Sequence, residues 1–123
     1  MRNVSRCPGV EPALTYYRKT RDDMTTLLQF DFAFDGPWGN DLEAACRELA
    51  DDIAAQPGLI WKLWGENPVT RRSSGVYLFE SPETAEAYIA KHTPRLAAFG
   101  VTDPGLSRFT LNLPLSRATR APL

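Results

Sequence analysis

The order of the hydrophobic patterns along the chain is the feature that most restricts its fold. Residues 28–34 alternate apolar with polar or small side chains and are rich in phenylalanine, which is typical of a β-strand. Apolar residues then recur at helical spacing over residues 40–53, with Asn40 as the expected N-cap. Pro57 and Gly58 are expected to end this segment.

The second half of the chain shows two further strand patterns, then a helix pattern and a last strand pattern. Short apolar runs at residues 58–67 and 75–81 flank a polar connection, which predicts a β-hairpin. Ser81-Pro82 is a strong helix start, and Pro94 is expected to interrupt or kink that helix. Alternation over residues 106–113 predicts a fourth strand. A β-α-β-β-α-β order predicts an α+β, ferredoxin-like fold, in which two helices cover one face of a four-stranded antiparallel sheet.

The chain of 123 residues fits a single domain. Residues 1–23 show no sustained period and contain prolines and a glycine, so they are predicted to form a flexible N-terminal extension. Residues 24–123 are predicted to form the one folded domain, and Met24 is a plausible alternative start.

Two tryptophans, Trp61 and Trp64, lie three positions apart in the second predicted strand and should therefore point to opposite faces of the sheet. The apolar, helix-covered face is predicted to contain Leu28, Phe30, Phe32, Phe34, Leu59, Trp61, Leu63, Phe109, Leu111 and Leu113. The mixed face is predicted to contain Gln29, Asp31, Lys62, Trp64, Glu66, Arg108, Thr110 and Asn112. An indole left on an open sheet would forfeit several kcal/mol of burial, at about 25 cal/mol per Å². A second copy of the chain is the simplest cover, which predicts a homodimer.

Composition excludes several classes of function. The formal net charge is -1 and no basic stripe is present, so nucleic acid is not an expected partner. No apolar run approaches membrane-spanning length, and no export signal is evident, so the expected setting is cytoplasmic and away from the membrane. Two distant cysteines and a single histidine form no zinc motif, and Cys46 is predicted to be a packed core residue.

Several segments resemble one protein family. They are "TLLQFDFAFDGPWG", "PGLIWKLWGE", "GVYLF", "AYIAKHTPRL" and "NLPLS". From Met24 onward the chain resembles the YdhR-type mono-oxygenases, a branch of the dimeric α/β-barrel superfamily that includes antibiotic-biosynthesis mono-oxygenases. The resemblance implies a homodimer whose two sheets face each other. It also implies oxidation of a small aromatic or polyketide-like substrate by molecular oxygen, with no flavin, haem or metal as cofactor.

Such chemistry requires an apolar pocket, a base and a hydrogen-bond donor for a developing oxyanion. His92 is the candidate base, because its reference pKa is near 6.5 and it shares a helical stripe with Tyr88. A packing or capping role is the alternative for this histidine. Trp64 is the second candidate catalytic residue, as a donor to the oxyanion.

Aromatic residues supply the candidate substrate site. Trp61, Tyr77, Phe34 and Tyr88 are predicted to line the pocket, and Trp38, between two glycines, is a candidate lid. Packing in the core or at the dimer interface is the alternative for Trp61 and Tyr77, as it is for Trp64, and an ordinary anchored loop residue is the alternative for Trp38.

Charged residues of the mixed face offer a rival base. Asp31, Lys62, Glu66 and Arg108 are predicted to form ion pairs that fix the register of the two sheets. An unpaired, desolvated carboxylate among them would have a raised pKa and could replace His92 as the base. Two other functions stay open: a proton-transfer isomerase or cyclase, and a non-catalytic dimer that binds a small ligand.

Overall fold

A computed structural model describes residues 24–123, and the predicted extension at residues 1–23 lies outside that range. The described elements follow in the order β1 (Thr26–Ala33), α1 (Gly39–Ala45), α2 (Arg47–Ala54), β2 (Leu59–Asn67), β3 (Arg72–Phe79), α3 (Pro82–Ala98), β4 (Gly105–Thr110) and α4 (Leu113–Ala118). The strands form one antiparallel sheet in the order β2-β3-β1-β4. The predicted α+β, ferredoxin-like fold is confirmed.

The first predicted helix is divided in two at Cys46, whose φ of -108° and ψ of 12° depart from helical values. The predicted N-cap at Asn40 is wrong. Trp38 occupies the N-cap position, without a capping side chain, and the Gly39 amide donates a hydrogen bond of 2.8 Å to Glu66 Oε1. A carboxylate from β2 thus supplies the acceptor expected from Asn40.

The second predicted helix, α3, begins as expected, since the Ser81 hydroxyl accepts from the Thr84 amide at 3.2 Å. Pro94 does not end it, and α3 continues to Ala98. Leu96 lies beyond the proline and is buried in the core. The free energy gained by burying Leu96 offsets the loss of the backbone hydrogen bond that a proline cannot donate.

The core lies between one sheet face and the helices, which defines a helix-facing side of the sheet. Its largest fully buried side chains include Phe30 on β1, Tyr77 and Phe79 on β3, and Tyr88 on α3. The other side of the sheet is the open face. Within the described residues, no helix combines the length and the apolar character that crossing a bilayer requires.

The face prediction for β2 is wrong beyond its first residue. Leu59 pairs with Phe79, but Trp61 pairs with Leu78, so Ile60 is an extra residue in a β-bulge. A shift of one residue moves every later side chain to the other face. Lys62 and Trp64 therefore lie on the helix-facing side, as does Glu66, whereas Trp61 and Leu63 lie on the open face. The prediction that the two tryptophans point to opposite faces is confirmed.

The face prediction for β4 is also wrong. Leu28 pairs with Arg108 and Leu27 with Phe109, so Arg108 lies on the helix-facing side and Phe109 on the open face. The buried contact of this strand comes from Leu106, which packs against the core. β4 is an edge strand with few buried positions. The alternation of apolar and polar residues along it therefore does not reveal which side faces inward.

The predicted fourth strand also ends early. Leu111 lies beyond it, and Leu113 begins α4, whose N-cap Asn112 accepts from the Leu115 amide at 3.1 Å. After α4 the chain reaches β2, where Trp61 Nε1 donates to the Pro122 carbonyl at 3.3 Å. The C-terminal segment therefore contacts an indole of the open face.

Candidate functional site

A cavity of about 70 Å³ lies between the helix-facing side of the sheet and the helices, and we call it the inner cavity. Most of its walls are apolar or aromatic, and no aspartate or glutamate lines it. Its lining residues are Phe30, Phe32, Phe34, Leu42, Cys46, Leu49, Lys62, Trp64, Ser73, Ser74, Gly75, Tyr77, His92, Leu96, Phe99 and Val101.

A second cavity of about 240 Å³, the outer cavity, adjoins the first. Leu42, Cys46 and Trp64 line both, so these three side chains separate the two spaces. Cys46 is half-buried at this boundary instead of enclosed in the core as predicted. The outer cavity is more polar, because Glu43, Arg47 and Glu66 contribute to its walls. Movement of Trp64 would join the two spaces.

His92 projects from α3 into an aromatic cluster and is only 3% exposed. Its ring stacks on Tyr88 at 4.9 Å between centroids and meets the edge of Phe30 at 5.6 Å. Burial, followed by the nearby charges of Lys62 and Arg95, lowers the pKa of His92 to about 3. The imidazole is therefore neutral and weakly basic at neutral pH.

The position of the His92 proton follows from its hydrogen bond. Arg95 Nε donates to His92 Nδ1 at 3.3 Å, so the neutral ring carries its proton on Nε2. Arg95 is itself held by the Asp52 carboxylate, and that hydrogen bond is the main reason why the pKa of Asp52 is lowered. Lys91 also approaches Asp52, at 3.4 Å. An ion pair between α2 and α3 thus orients the imidazole.

Two tyrosine hydroxyls meet beside His92. Tyr88 Oη donates to Tyr77 Oη at 2.9 Å, and the ring centroids are 4.8 Å apart. Burial raises the pKa of Tyr88 to about 12 and raises that of Tyr77 well above its ordinary value. Both phenols stay protonated at neutral pH and can act as hydrogen-bond donors.

Lys62 is the cation that faces the inner cavity. Its Nζ lies 3.4 Å from the centroid of the Trp64 ring and 4.6 Å from that of Tyr77. Burial lowers the pKa of Lys62 to about 7. The sequence pattern predicts Lys62 on the face away from the helices. The bulge at Ile60 brings it to the helix-facing side.

The other charged residues predicted to share its face do not form one group. Asp31 lies on the open face, opposite Ser74, and pairs with Arg72 at 2.9 Å. Arg108 pairs with Glu86 of α3, and this hydrogen bond raises the pKa of the guanidinium. Two of the four residues predicted to form ion pairs between sheets, Asp31 and Arg108, thus have ion-pair partners within the chain.

The structure separates the predicted site residues into three groups. Phe34, Trp64, Tyr77 and His92 line the inner cavity, and Tyr88 lies directly behind Tyr77 and His92.

Two predicted residues lie elsewhere. Trp38 packs against Phe34 at 5.4 Å, as an anchored residue beside the cavity wall. Trp61 is on the open face, away from the cavity, because of the bulge. Among residues 24–123, no cluster of three or more His, Cys, Asp or Glu side chains is arranged to hold a metal ion.

Solved structures with this fold include protein SO0527 from Shewanella oneidensis, at 16% identity and a TM-score of 0.53, covering 71% of this chain and 90% of that one. The structural-genomics protein YJCS matches at 15% identity and a TM-score of 0.55, covering 72% and 99%. A variant of SnoaB, a cofactor-independent oxygenase from Streptomyces nogalater, matches at 15% identity and a TM-score of 0.52, covering 73% and 94%. At these identities the likeness establishes the fold.

The family comparison covers most of the domain. No curated protein gives a significant match. The sequence profile described as "Putative mono-oxygenase ydhR" matches residues 27–122, which include every strand and helix of the described structure except the first residue of β1. The chain therefore belongs to the ydhR mono-oxygenase family.

Proposed function

We propose that this protein is a cofactor-independent mono-oxygenase that acts on a small aromatic or polyketide-like compound. The observation that carries the proposal is the inner cavity, whose aromatic walls enclose a lysine of lowered pKa and a neutral imidazole. Membership of the ydhR family and the fold shared with an oxygenase support the same reaction class. Apolar and aromatic walls with a few polar groups that can fix a ligand's orientation are typical of sites that bind aromatic compounds.

The reaction needs no electron source other than the substrate. Loss of a proton from an activated CH₂ group leaves a carbanion, which adds to O₂ and takes up a proton to form a hydroperoxide. Loss of water then leaves a carbonyl, so that CH₂ and O₂ become C=O and H₂O. The cavity contributes by supplying donors to the oxyanion.

His92 is proposed as a donor in this reaction and not as the base predicted from sequence. Its pKa of about 3 makes it a poor proton acceptor at neutral pH, whereas its Nε2-H is available to an oxygen atom in the cavity. Tyr77 is the second donor that lines the cavity.

Oxygen uptake tests the proposal. Purified protein without added cofactor should consume O₂ when given an anthrone, which has an activated CH₂ group, and should yield one quinone per O₂. Isotope-labelled O₂ should place one oxygen atom in the product and the other in water. His92→Ala should lower the rate by on the order of a hundredfold, as loss of an oxyanion donor does.

Other outcomes identify the alternatives. Turnover that continues without O₂ would contradict the proposal and indicate an isomerase or cyclase. Saturable binding of aromatic compounds without turnover would indicate a ligand-binding module.

We also propose that two copies associate through the open face. Leu63 and Phe109 are exposed there by 59% and 53%, and Trp61 is only partly covered. Exposed apolar side chains clustered on one sheet face are typical of an interface. A second sheet would cover them without contacting the inner cavity, which lies on the opposite side.

A further inference from the structure

Lys62 has no charged partner within the described residues. No carboxylate lines the inner cavity, and the contacts of the ammonium group are the faces of Trp64 and Tyr77. Lys62 is partly buried, and burial without a counter-ion disfavours the ammonium form, which the aromatic faces stabilise only in part. The site is therefore short of one negative charge.

The backbone is shaped to leave room for this lysine. Gly75 of β3 lies opposite Trp64 on the helix-facing side of the sheet. A Cβ at Gly75 would lie 3.2 Å from Lys62 Cε and 3.0 Å from Tyr77 Cε1. Only glycine leaves the lysine and the tyrosine their observed positions without displacement.

The other titratable groups around the cavity do not supply the missing charge. Tyr77 on β3 and His92 on α3 are both neutral at neutral pH. Cys46, between α1 and α2, completes the set of titratable side chains that line this space; its thiol opposes the lowering of the Lys62 pKa, but burial outweighs it. Glu66, a carboxylate that lines the outer cavity, accepts from the Gly39 amide. Within the described residues, the counter-ion of a protonated Lys62 is therefore left for a ligand to supply, either as an anion or as an acidic group that transfers its proton to the amine.

Resting on the function proposed above, we propose that Lys62 Nζ accepts the proton of an acidic substrate hydroxyl and holds the resulting oxygen anion. The substrate class is then a phenol or an enol, with the hydroxyl directed at Lys62 between Trp64 and Tyr77. The proton balance is closed, because ArOH and the neutral amine become ArO⁻ and the ammonium ion. No oxidant takes part in this step, which prepares an electron-rich ring for O₂.

The acid–base properties of the lysine suit this step. With a pKa of about 7, a large fraction of Lys62 is the neutral amine at neutral pH, and the amine can receive a proton. Once protonated, it pairs with the anion in a partly buried site, where the attraction is stronger than between two fully exposed groups.

A pair of matched aromatic probes tests the inference without relying on oxygenation. 4-Nitrophenol is yellow only as its phenolate, whereas 4-nitroanisole has the same shape with a methyl ether and no acidic proton. Wild-type protein at a pH below the pKa of free 4-nitrophenol should bind that probe as the yellow phenolate. Lys62→Met should weaken this binding on the order of tenfold to a hundredfold and abolish the colour.

Two controls keep the result specific. Lys62→Met should bind 4-nitroanisole as well as wild type does, which shows that the cavity is intact. Lys91→Met removes the other lysine of the described residues, which pairs with Asp52 at the surface, and should leave the phenolate colour unchanged.

The result that overturns the inference is a phenolate colour that survives in Lys62→Met, or wild-type binding of 4-nitrophenol without the colour. If Lys62→Met does not fold, nitrogen NMR of wild type decides. Added 4-nitrophenol should convert Lys62 Nζ from amine to ammonium above pH 7, the pKa of about 7 marking the midpoint in the free protein. An unchanged resonance would overturn the inference.

The oxygenase proposal and this inference fail separately. Phenolate binding that requires Lys62, without oxygen uptake on any substrate, would refute only the oxygenase. Oxygen uptake that is indifferent to Lys62→Met would refute only the role of the lysine.

Discussion

At the scale of single residues, the site contains two basic groups whose pKa values are lowered by burial, and they differ in what they can do. Lys62, with a pKa of about 7, can exchange a proton at neutral pH. His92, with a pKa of about 3, stays neutral and can only donate through Nε2. The residue selected from sequence as the base is therefore better suited to donation, and a lysine assigned to an ion pair is better suited to accept a proton.

The burial of His92 predicts a dependence of stability on pH. The unfolded chain takes up a proton near pH 6.5 and the folded chain only near pH 3, so the free energy of unfolding should fall as pH decreases between those values. His92→Gln keeps an acceptor for Arg95 but does not titrate, so the decline should be much shallower. Urea unfolding at a series of pH values measures this.

The titration of Asp52 also makes the free energy of unfolding depend on pH and must be separated from that of His92. The pKa of Asp52 in the folded chain lies below its ordinary 3.8. Its contribution to the free energy of unfolding is therefore lost only as the pH falls below that value. The interval above pH 3.8 therefore reports mainly on His92. Parallel pH profiles for wild type and His92→Gln in that interval would contradict the burial of a neutral imidazole.

At the scale of elements, β2 and β3 both contribute walls of the cavity, and a side chain at Gly75 of β3 would crowd Lys62 and Tyr77. Gly75→Ala should destabilise the fold by about 1–3 kcal/mol, because the new methyl group must displace Tyr77 or Lys62. It should also weaken the binding of 4-nitroanisole. Chemical denaturation and a binding titration measure the two effects.

A second glycine provides a matched control. Gly65→Ala on β2 places a Cβ at 3.5 Å from Ser74 Cβ, which is an ordinary contact. This variant should be close to wild type in both measurements. Equal behaviour of the two variants would show that the space at Gly75 is not what positions the lysine.

At the scale of the whole molecule, the sheet separates two functions: the cavity lies on the helix-facing side and the proposed interface on the open face. The double change Leu63→Lys and Phe109→Lys places charges on exposed apolar positions of the open face and should convert the proposed dimer to a monomer in light scattering. The monomer should still bind 4-nitroanisole, since those side chains do not line the cavity.

The control for this change is Val69→Lys. Val69 is 92% exposed in the turn after β2 and lies outside the sheet face, so its substitution should leave the dimer intact. A wild-type protein that is monomeric at micromolar concentration would contradict the proposed interface. Dissociation by Val69→Lys alone would place the interface elsewhere.

Much of the fold follows from local signals in the sequence. The strand at residues 26–33 is recognisable from its period of two, and the start of α3 from the Ser81 cap and Pro82. These features depend on neighbours within a few positions, so the sequence contains the necessary information. Four of the predicted site residues, Phe34, Trp64, Tyr77 and His92, do line one cavity.

The sequence by itself determined the order of the four strands, the fold class and the fact that Trp61 and Trp64 point apart, but not the break at Cys46 or the last helix, α4. Only the tertiary structure decided which indole faces the cavity, because a strand pattern with a period of two is symmetric between the two faces. One extra residue, Ile60, reverses that choice for the rest of β2 and brings Lys62 to the site. The bulge is a property of how β2 pairs with β3. No local pattern on β2 reveals it.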